Sequence, residues 1–442
     1  MTKTPRSRSA AHVSAARLTA AQALLRVEKG AYSNLSFTGL CGSLDSREMA
    51  FASALFYTAL ERRLTIDHIL KCYSAKPLDT LLPEVMASLR LGICQLLYLE
   101  SVDDYAAVSQ SVELAKALGV PEASGFVNGV LRAFLRAGKK IPPVRGGRGD
   151  RLSVTYSCPR WLVKRLLKAY GEEDTLHILE GSLGKPPLFL RVNTMQITPE
   201  QLAEKLAAEG VEAAVQPDAP GCLLAQSSAV EALEAFQQGL FHVQDKASQL
   251  CALAVEAKTG ERVLDVCAAP GGKSFTIAEE MDNQGQVVAL DLYPHRVGLI
   301  QEGAERLGLS IVEAKSGDAS VFDPALGNFD RVLCDVPCSG FGIIRRKPEI
   351  KYKTPNSVEN LPEIQHKILQ TSANYVKPGG RLVYSTCTLL PEENGGVVSR
   401  FLEGNTGFTL SWEKTLLGGE TDGFYMAVLQ RCLSMRKYDG KD

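Results

Sequence analysis

The sequence predicts a multidomain protein made of one all-α part and two α/β parts. Residues from about 10 to 138 carry apolar side chains at helical spacing almost throughout, and a Pro-, Gly- and Arg-rich stretch, IPPVRGGRGDR, follows. From about residue 261 onward, short apolar runs alternate with helical stretches. We therefore expect an all-helical domain over residues 1–140, a linker with a small α/β subdomain over 141–240, and a Rossmann-like α/β domain over 241–442.

The helical part shows clear helix boundaries. RLTAAQALLRVEKG and REMAFASALFYTALERRLTIDHILKCY place apolar residues three and four positions apart, and strand-like runs of period two are absent. Asp45 with Ser46, and Pro83, are helix-start signals, whereas Gly30 and Gly119 are expected to end helices. These signals predict a bundle of helices that packs its own core.

The rest of the chain predicts two sheets. PLFLRVNTMQITPEQLAEKLAAEGVEAAVQP indicates strand, helix, strand, with Pro199 opening the helix. RVLDVCA, QVVALDL, SIVEAKSGD, FDRVLCDVP and GRLVYSTC indicate five strands of a parallel sheet with helices on both faces. Ligands bind such sheets at the carboxyl ends of the strands. Six side chains with useful chemistry fall at or just beyond those ends: Asp265, Asp291, Asp318, Asp335, Cys338 and Cys387.

Composition excludes several classes of protein. The 442 residues are 45% hydrophobic and 22% charged, and the chain lacks the roughly 18-residue apolar run that would cross a membrane. The N-terminus is basic and Ser-rich without a signal-like apolar core, so we expect a short disordered basic arm in preference to an organelle transit peptide of similar composition. The eleven cysteines form no CxxC pair and the six histidines are dispersed, which argues against disulfides and against a metal site. We expect a cytoplasmic protein without bound metal.

The net charge of −1 hides a segregation of basic residues. Basic clusters of this kind are typical of phosphate binding by nucleic-acid-binding proteins. A solvated linker explains the first cluster equally well, whereas the second directly follows Cys338 and favours substrate contact. The first contains Arg132, Arg136, Lys139, Lys140, Arg145, Arg148 and Arg151, and the second Arg345, Arg346, Lys347, Lys351 and Lys353.

The turn CAAPGGKS admits three interpretations. Cys267 stands where a P-loop needs its first glycine, and the G-x-G-x-x-G of dinucleotide folds is absent. S-adenosylmethionine has no phosphates and needs only a close backbone approach, which Gly271 and Gly272 allow. Asp291, about 20 residues on, has the spacing of a ribose-binding carboxylate, and Asp318 is placed to meet the adenine or to cap a helix.

Three motifs in order, AAPGGKS, DVPCSGFGIIRRKPEIKY and YSTCTLLPEEN, resemble those of the NOL/NOP2/Sun family of RNA cytosine-C5 methyltransferases. The helical part resembles the RNA-binding domain of the antitermination factor NusB, and bacterial small-subunit rRNA methyltransferases combine the two. Tyr352 departs from the pattern, since a tryptophan is expected there. The resemblance implies a NusB-like domain, a SAM-dependent methyltransferase domain and S-adenosylmethionine as cofactor. The cofactor-binding residues implied are Cys267, Ala268, Ala269, Pro270, Gly271, Gly272, Lys273, Asp291, Arg296, Asp318 and Asp335.

Cytosine C5 is a poor nucleophile, and a thiolate adding to C6 activates it. Asp335 is the candidate for holding a proton at N3, and Lys273 with the second basic cluster is expected to help form the thiolate. The residues alone leave open which cysteine attacks. The resemblance assigns attack to Cys387 and enzyme release to Cys338.

Other cysteines and aromatic residues receive simpler interpretations. Cys94, Cys251 and Cys334 are expected in the core. Phe341 and Tyr384 are either stacking partners of a flipped base or core residues.

The expected substrate is small-subunit (16S) rRNA, naked or early in assembly, bound by a monomer. Three alternatives remain at this point. The same chemistry can act on tRNA or large-subunit rRNA, the chain can be a non-catalytic RNA-binding or antitermination protein, or it can be a nicotinamide-dependent oxidoreductase.

Overall fold

A computed structural model of the chain describes residues 13–227 and 229–433. The described residues form two compact units. The first, the helical unit, contains the residues up to Lys168 together with Ile344–Lys353. The second, the α/β unit, contains Ala169–Ile343 and the residues from Thr354 onward. The basic arm predicted at the N-terminus lies mostly outside the described residues.

The helical unit has the all-α fold that the sequence predicts. Asp45 caps a helix by accepting a hydrogen bond from the Glu48 N–H, Pro83 begins another, and Gly30 and Gly119 follow helix ends with φ of 94° and 88°. Its helices are α1 (Ala15–Glu28), α2 (Ser33–Thr38), α3 (Ser46–Glu61), α4 (Arg63–Tyr73), α5 (Pro83–Tyr98), α6 (Asp104–Ala117), α7 (Ser124–Arg136) and α8 (Arg148–Thr155). The last of these lies partly in the stretch that the sequence indicates as a linker.

Helix α5 runs through the centre of this unit. Gly92 allows the close approach of α7, because a Cβ there would come within 2.7 Å of the Leu131 side chain. Arg90, on the same helix, is buried between two carboxylates, with Nε 2.8 Å from Asp67 and a second ion pair to Glu28. A guanidinium is tolerated in the interior only with such partners, so these contacts also fix α1 and α4 against α5.

The segment Ile344–Lys353 belongs to the helical unit. Lys351 is fully buried and donates a hydrogen bond from Nζ to the Glu61 carbonyl at 2.5 Å. The Tyr352 hydroxyl donates to the Leu60 carbonyl at 2.6 Å. The expectation that the second basic cluster contacts substrate is therefore wrong for Lys351, which satisfies the open carbonyl groups at the end of α3 instead.

The α/β unit begins with the second half of a long helix and a small sheet. Gly171 breaks the helix with φ of 74°. The strands of the small sheet pair antiparallel in the order β2-β3-β1-β4, and β1, α10 and β2 form the predicted strand, helix and strand. The elements are α9 (Arg160–Gly181), β1 (Leu188–Val192), α10 (Pro199–Ala208), β2 (Ala213–Val215), β3 (Cys222–Ala225), α11 (Glu234–Gln237), β4 (Phe241–Val243) and α12 (Lys246–Leu253).

The large sheet has seven strands in the order β10-β11-β9-β8-β5-β6-β7. Five strands are parallel, as predicted, but β10 and β11 run antiparallel at one edge and were not foreseen. Nearly all of β10 is exposed, so it lacks the apolar run that marks a buried strand. The elements are β5 (Arg262–Asp265), α13 (Gly272–Glu280), β6 (Gln286–Asp291), α14 (Pro294–Leu307), β7 (Val312–Ser316), β8 (Phe329–Asp335), α15 (Leu361–Ala373), β9 (Val376–Thr386), α16 (Gly395–Gly404), β10 (Phe408–Leu416) and β11 (Phe424–Arg431).

Each face of the large sheet has its own hydrophobic core. Val263 and Val287 pack with α12, α13 and α14, whereas the next residues, Leu264 and Val288, pack with α15 and α16. The strand order reverses between β5 and β8, which opens a crevice at their carboxyl ends.

A buried ion-pair cluster joins the small sheet to α13. Arg191 on β1 is 1% exposed, and its Nε and Nη2 lie 2.8 Å from the Glu279 and Glu280 carboxylates, respectively. Its Nη1 donates to the Pro220 carbonyl at 2.7 Å. Because every nitrogen of the guanidinium has a partner, the charge is accommodated without water.

The buried amine of Lys351 makes a pH-dependent contribution to stability. Burial lowers the pKa of Lys351 to about 8. Above that pH the unfolded chain still binds a proton that the folded one has lost, so the folded state gains stability up to about pH 10.4. In urea unfolding of the full chain, the free energy of unfolding of the wild type should rise between pH 7 and 10 by about 2–3 kcal/mol more than that of Lys351→Met. Lys116→Met, at an exposed position, should differ from wild type by a constant amount, and parallel curves for wild type and Lys351→Met would contradict the prediction.

Candidate active site

The turn predicted to bind the cofactor lies between β5 and α13. Gly271, with φ of 113°, adopts a conformation that other residues rarely take, and a Cβ there would lie 2.3 Å from the Phe275 ring. A Cβ on Gly272 would meet its nearest atom, the Gln244 amide, at 3.6 Å. The first glycine is thus required by the fold, whereas a Cβ at the second would make only an ordinary van der Waals contact, so the fold itself tolerates a side chain there.

Acidic side chains follow the strand ends around this turn. Asp291 at the end of β6 is buried and pairs with Arg296, whose Nη2 donates to the Ala269 carbonyl at 2.8 Å. Asp318 is exposed, and its hydrogen bonds from Ser320 lower its pKa. Arg296 thereby ties the start of α14 to the turn.

Asp265 at the end of β5 is also buried. Burial raises its pKa to about 7. Its Oδ2 accepts from the Ser274 hydroxyl at 2.8 Å, whereas its Oδ1 has no hydrogen-bond partner among the described residues. An orphaned acceptor of this kind next to a glycine turn is ready to receive a donor from a ligand.

A partly buried ion pair connects the turn to β8. Lys273 Nζ lies 2.7 Å from Asp335 Oδ2, and the Ser385 hydroxyl donates to Asp335 Oδ1 at 2.7 Å. Burial alone would lower the pKa of the Lys273 ammonium, but the Asp335 carboxylate outweighs it and raises that pKa. Since Lys273 is committed to a carboxylate, it does not act as the phosphate-binding lysine of a P-loop.

The two cysteines meet at the same edge. Cys338 Sγ lies 3.3 Å from Cys387 Sγ, both side chains are partly buried, and both are free thiols. The hydrogen bond with Cys387 and burial raise the pKa of the Cys338 thiol. The Cys338 thiol therefore keeps its proton and can donate it in a hydrogen bond to the Cys387 sulfur.

Comparison with known families and proteins identifies the relatives of this chain. The model described as 16S rRNA methyltransferase RsmB/F matches residues 252–430, the NusB family model matches 14–136, and the ferredoxin-like domain of RsmF/B-like methyltransferases matches 158–231. The probable ribosomal RNA small subunit methyltransferase B of Bacillus subtilis is 42% identical over 412 residues, with 90% of each chain covered.

The chain belongs to the RsmB/F family of 16S rRNA methyltransferases. It is a methyltransferase that uses S-adenosylmethionine. The ribosomal RNA small subunit methyltransferase B of Klebsiella pneumoniae (strain ATCC 700721) is 34% identical over 427 residues, covering 93% of this chain and 97% of its own.

Solved structures agree on the fold. The crystal structure of PH0851 is 24% identical and covers 96% of this chain and 100% of its own, with a TM-score of 0.80. NSun6 from Pyrococcus horikoshii, crystallised with the S-adenosylmethionine analogue SFG, is 22% identical and covers 62% of this chain and 98% of its own, with a TM-score of 0.57. The RsmB/F-family chain thus has a NusB helical domain, a ferredoxin-like domain and a methyltransferase domain with a mixed sheet.

The residues at the turn of this RsmB/F-family methyltransferase fit S-adenosylmethionine. The cofactor carries ribose hydroxyls, an adenine amino group and an ammonium group as donors, and the turn offers the Asp291 carboxylate, Asp318 and the unpaired Asp265 Oδ1 as acceptors. Gly272 has no side chain to separate the backbone of the turn from a ligand.

The structure places the other predicted residues as follows. Cys94, Cys251 and Cys334 are fully buried, as expected. Tyr384 is also fully buried and donates to the Glu393 carbonyl, so core packing is the correct interpretation for it, and Phe341 is 3% exposed. In the described part of the chain, no helix is long and apolar enough to cross a membrane, and no group of three His, Cys, Asp or Glu side chains could hold a metal ion.

Several residues around the site were not singled out from the sequence. Ser385, Gln365, Glu393 and Asn394 all contact Asp335 or the loops that carry the cysteines. The run PEEN, directly after the Thr-Cys motif, contains Glu393 and Asn394 and was a sequence signal that could have identified them. Gln365 lies on a helix remote in sequence, and no sequence signal pointed to it.

The two glycines of the turn should respond differently to substitution. Gly271→Ala forces a positive φ on alanine and displaces the Phe275 ring, and should lower the free energy of unfolding by about 2–4 kcal/mol. Gly272→Ala should change it by less than about 1 kcal/mol but weaken S-adenosylmethionine binding at least about tenfold, because its methyl group would keep the cofactor away from the backbone of the turn. Urea unfolding and calorimetric titration measure the two effects, and unchanged affinity in Gly272→Ala would show that the cofactor does not approach the backbone there.

Proposed function

We propose that the protein methylates C5 of a specific cytosine in small-subunit (16S) rRNA through a covalent adduct between Cys387 and C6. The observation that carries this proposal is the pair of thiols 3.3 Å apart beside the Lys273–Asp335 ion pair, at the carboxyl edge of the sheet. A binding module has no need for this combination. The S-adenosylmethionine, when bound, supplies an electrophilic methyl group for C5.

The residues proposed to hold the cofactor surround the turn. Backbone groups of the turn would approach it closely, and Asp291, positioned by Arg296, would accept from its ribose hydroxyls. Asp318 would meet the adenine, and Lys273 and Asp335 would border the site on the side of the cysteines. The turn itself comprises Cys267, Ala268, Ala269, Pro270, Gly271 and Gly272.

Cys387 is proposed as the nucleophile because its neighbour stabilises a thiolate. The Cys338 thiol, whose pKa is raised, can serve as the hydrogen-bond donor of the pair, and a hydrogen bond to a thiolate favours the charged form. In the attack the Cys387 sulfur forms a bond to C6. The π electron pair of the C5–C6 double bond shifts to C4–C5, and the π pair of C4–N3 is displaced onto N3. The base thereby gains the nucleophilic C5 that it lacks on its own.

Asp335 is proposed to act on the other edge of the base. A carboxyl group has about four acceptor positions, and here Lys273 and Ser385 occupy two. The remaining positions can hold a proton between Asp335 and N3 of the base. That proton stabilises the negative charge that develops on N3 during the attack. After methylation a base removes the C5 proton, the S–C6 bond breaks, and Cys387 leaves as a thiolate while Cys338 assists release.

The form of the substrate and the setting are also proposed. The half-buried thiols reach only a base that has left its stack, which favours naked rRNA or rRNA early in assembly. The eleven free thiols favour the reducing cytoplasm, and we propose a monomer as the active form.

Bisulfite sequencing tests the substrate directly. Comparison of 16S rRNA, 23S rRNA and tRNA from cells with and without the gene should reveal one protected cytosine in 16S rRNA that is lost with the gene. If a protected cytosine is lost from tRNA or 23S rRNA instead, that RNA is the substrate. If no protected cytosine is lost from any RNA, the proposed function is contradicted.

The two cysteines should give opposite kinetic phenotypes. Cys387→Ala should abolish methyl transfer, because the attacking sulfur is absent. Cys338→Ala should leave the enzyme covalently attached to RNA, because attack still proceeds, although slowed by loss of the hydrogen bond to Cys387, whereas release fails. Incorporation of labelled methyl groups and denaturing gels of the enzyme–RNA complex measure both, and wild-type turnover in Cys387→Ala would refute the assignment.

A further inference from the structure

The run PEEN after the Thr-Cys motif forms a buried polar network with both cysteine loops. Glu393 and Asn394 are 1% and 2% exposed. They end a short 3₁₀ turn and begin α16, yet their side chains do not serve the helix. Glu393 is directed mainly to the loop carrying Cys338, and its Oε1 also accepts a longer hydrogen bond, 3.5 Å, from the Thr388 hydroxyl in the other loop. Asn394 is directed to the loop carrying Cys387.

Glu393 holds the loop of Cys338. Its Oε2 accepts from the Ser339 N–H at 2.8 Å and from Gln365 Nε2 at 2.8 Å. The same Gln365 nitrogen donates to the Pro337 carbonyl at 3.0 Å. The residues on either side of Cys338 are therefore both fixed by the Glu393–Gln365 pair.

Asn394 holds the loop of Cys387 in the same manner. Its Oδ1 accepts from the Thr386 hydroxyl at 2.6 Å, and its Nδ2 donates to the Thr388 carbonyl at 3.0 Å. The residues on either side of Cys387 are thus both fixed by Asn394. A hydrogen bond between the Ser339 and Thr388 hydroxyls, 2.7 Å long, links the two loops.

We propose that Glu393 and Asn394 are positioning residues that separately align the two cysteines, Glu393 with Gln365 serving Cys338 and Asn394 serving Cys387. The proposal rests on the proposed function, in which Cys387 attacks and Cys338 assists release. It follows that two neighbouring residues, neither of which touches the substrate, control different halves of the reaction. Loss of Glu393 impairs release, and loss of Asn394 impairs attack.

Glu393 has an electrostatic role in addition. Its carboxylate is among the groups that raise the pKa of the Cys338 thiol, after the hydrogen bond with Cys387 and burial. Because both donors bind the same oxygen, a glutamine at 393 can accept from Ser339 and Gln365 through its own oxygen and keep the loop in place. Glu393→Gln therefore removes the charge and retains the geometry.

The test measures the two half-reactions separately in the full-length enzyme. An RNA fragment carrying the target cytosine is mixed with enzyme and S-adenosylmethionine, and the covalent adduct is followed over time on denaturing gels. Glu393→Ala and Gln365→Met should form the adduct at near the wild-type rate and release it at least about tenfold more slowly, so that adduct accumulates. Asn394→Ala should form it at least about tenfold more slowly without accumulation.

The pH profile of release in Glu393→Gln distinguishes alignment from general folding support. This variant should release product at near the wild-type maximal rate. The part of its pH–rate profile that depends on Cys338 should move to lower pH, because the Glu393 charge that helps to raise the pKa of that thiol is gone. Equal slowing of both steps in Glu393→Ala and Asn394→Ala, or an unmoved profile in Glu393→Gln, would overturn the proposal. If Glu393→Ala fails to bind S-adenosylmethionine, the outcome is decided by Gln365→Met and Glu393→Gln. A wild-type enzyme that methylates no RNA fragment would refute the proposed function instead.

Discussion

The ion pair between Lys273 and Asp335 organises the active-site edge of the sheet. Lys273 lies in the first turn of α13 directly after the cofactor turn, Asp335 ends β8, and Ser385 of β9 binds the free side of the same carboxylate. Three segments that are remote in sequence thus share one partly buried charge pair. The pair also decides between cofactors, since a lysine that neutralises Asp335 is not available to a phosphate.

A separate, buried cluster of charges connects helix α13 to the small sheet. Helix α13 has Gly272 at its first position and Glu279 and Glu280 at its last two, about 12 Å apart along the axis. Arg191 of β1 binds both carboxylates. One short, rigid helix therefore sets the distance between the cofactor turn and the small sheet.

The sequence predicted what depends on local pattern. The parallel strands, the helix starts at Asp45 and Pro83 and the glycine turn were predicted because spacing and capping are encoded by neighbouring residues. Strand β10 was not predicted because its side chains are mostly exposed and show no apolar run. The convergence of Asp335 and the two cysteines followed from strand ends that meet at one edge, but the contacts of Gln365 with the Cys338 loop depend on tertiary packing across 28 residues of chain. The roles of the site residues stay proposals.

The helical unit is not continuous in sequence, and this has a consequence for biosynthesis. Its last piece, Ile344–Lys353, is translated roughly 180 residues after Lys168, when the ribosome has also made most of the α/β unit. At typical rates of about 5–20 residues per second, the delay is on the order of 10–40 s. Through that interval the carbonyl groups of Leu60 and Glu61 lack the donors that Tyr352 and Lys351 later supply. The N-terminal domain therefore leaves the ribosome first but reaches its native state only after most of the catalytic domain has been synthesised.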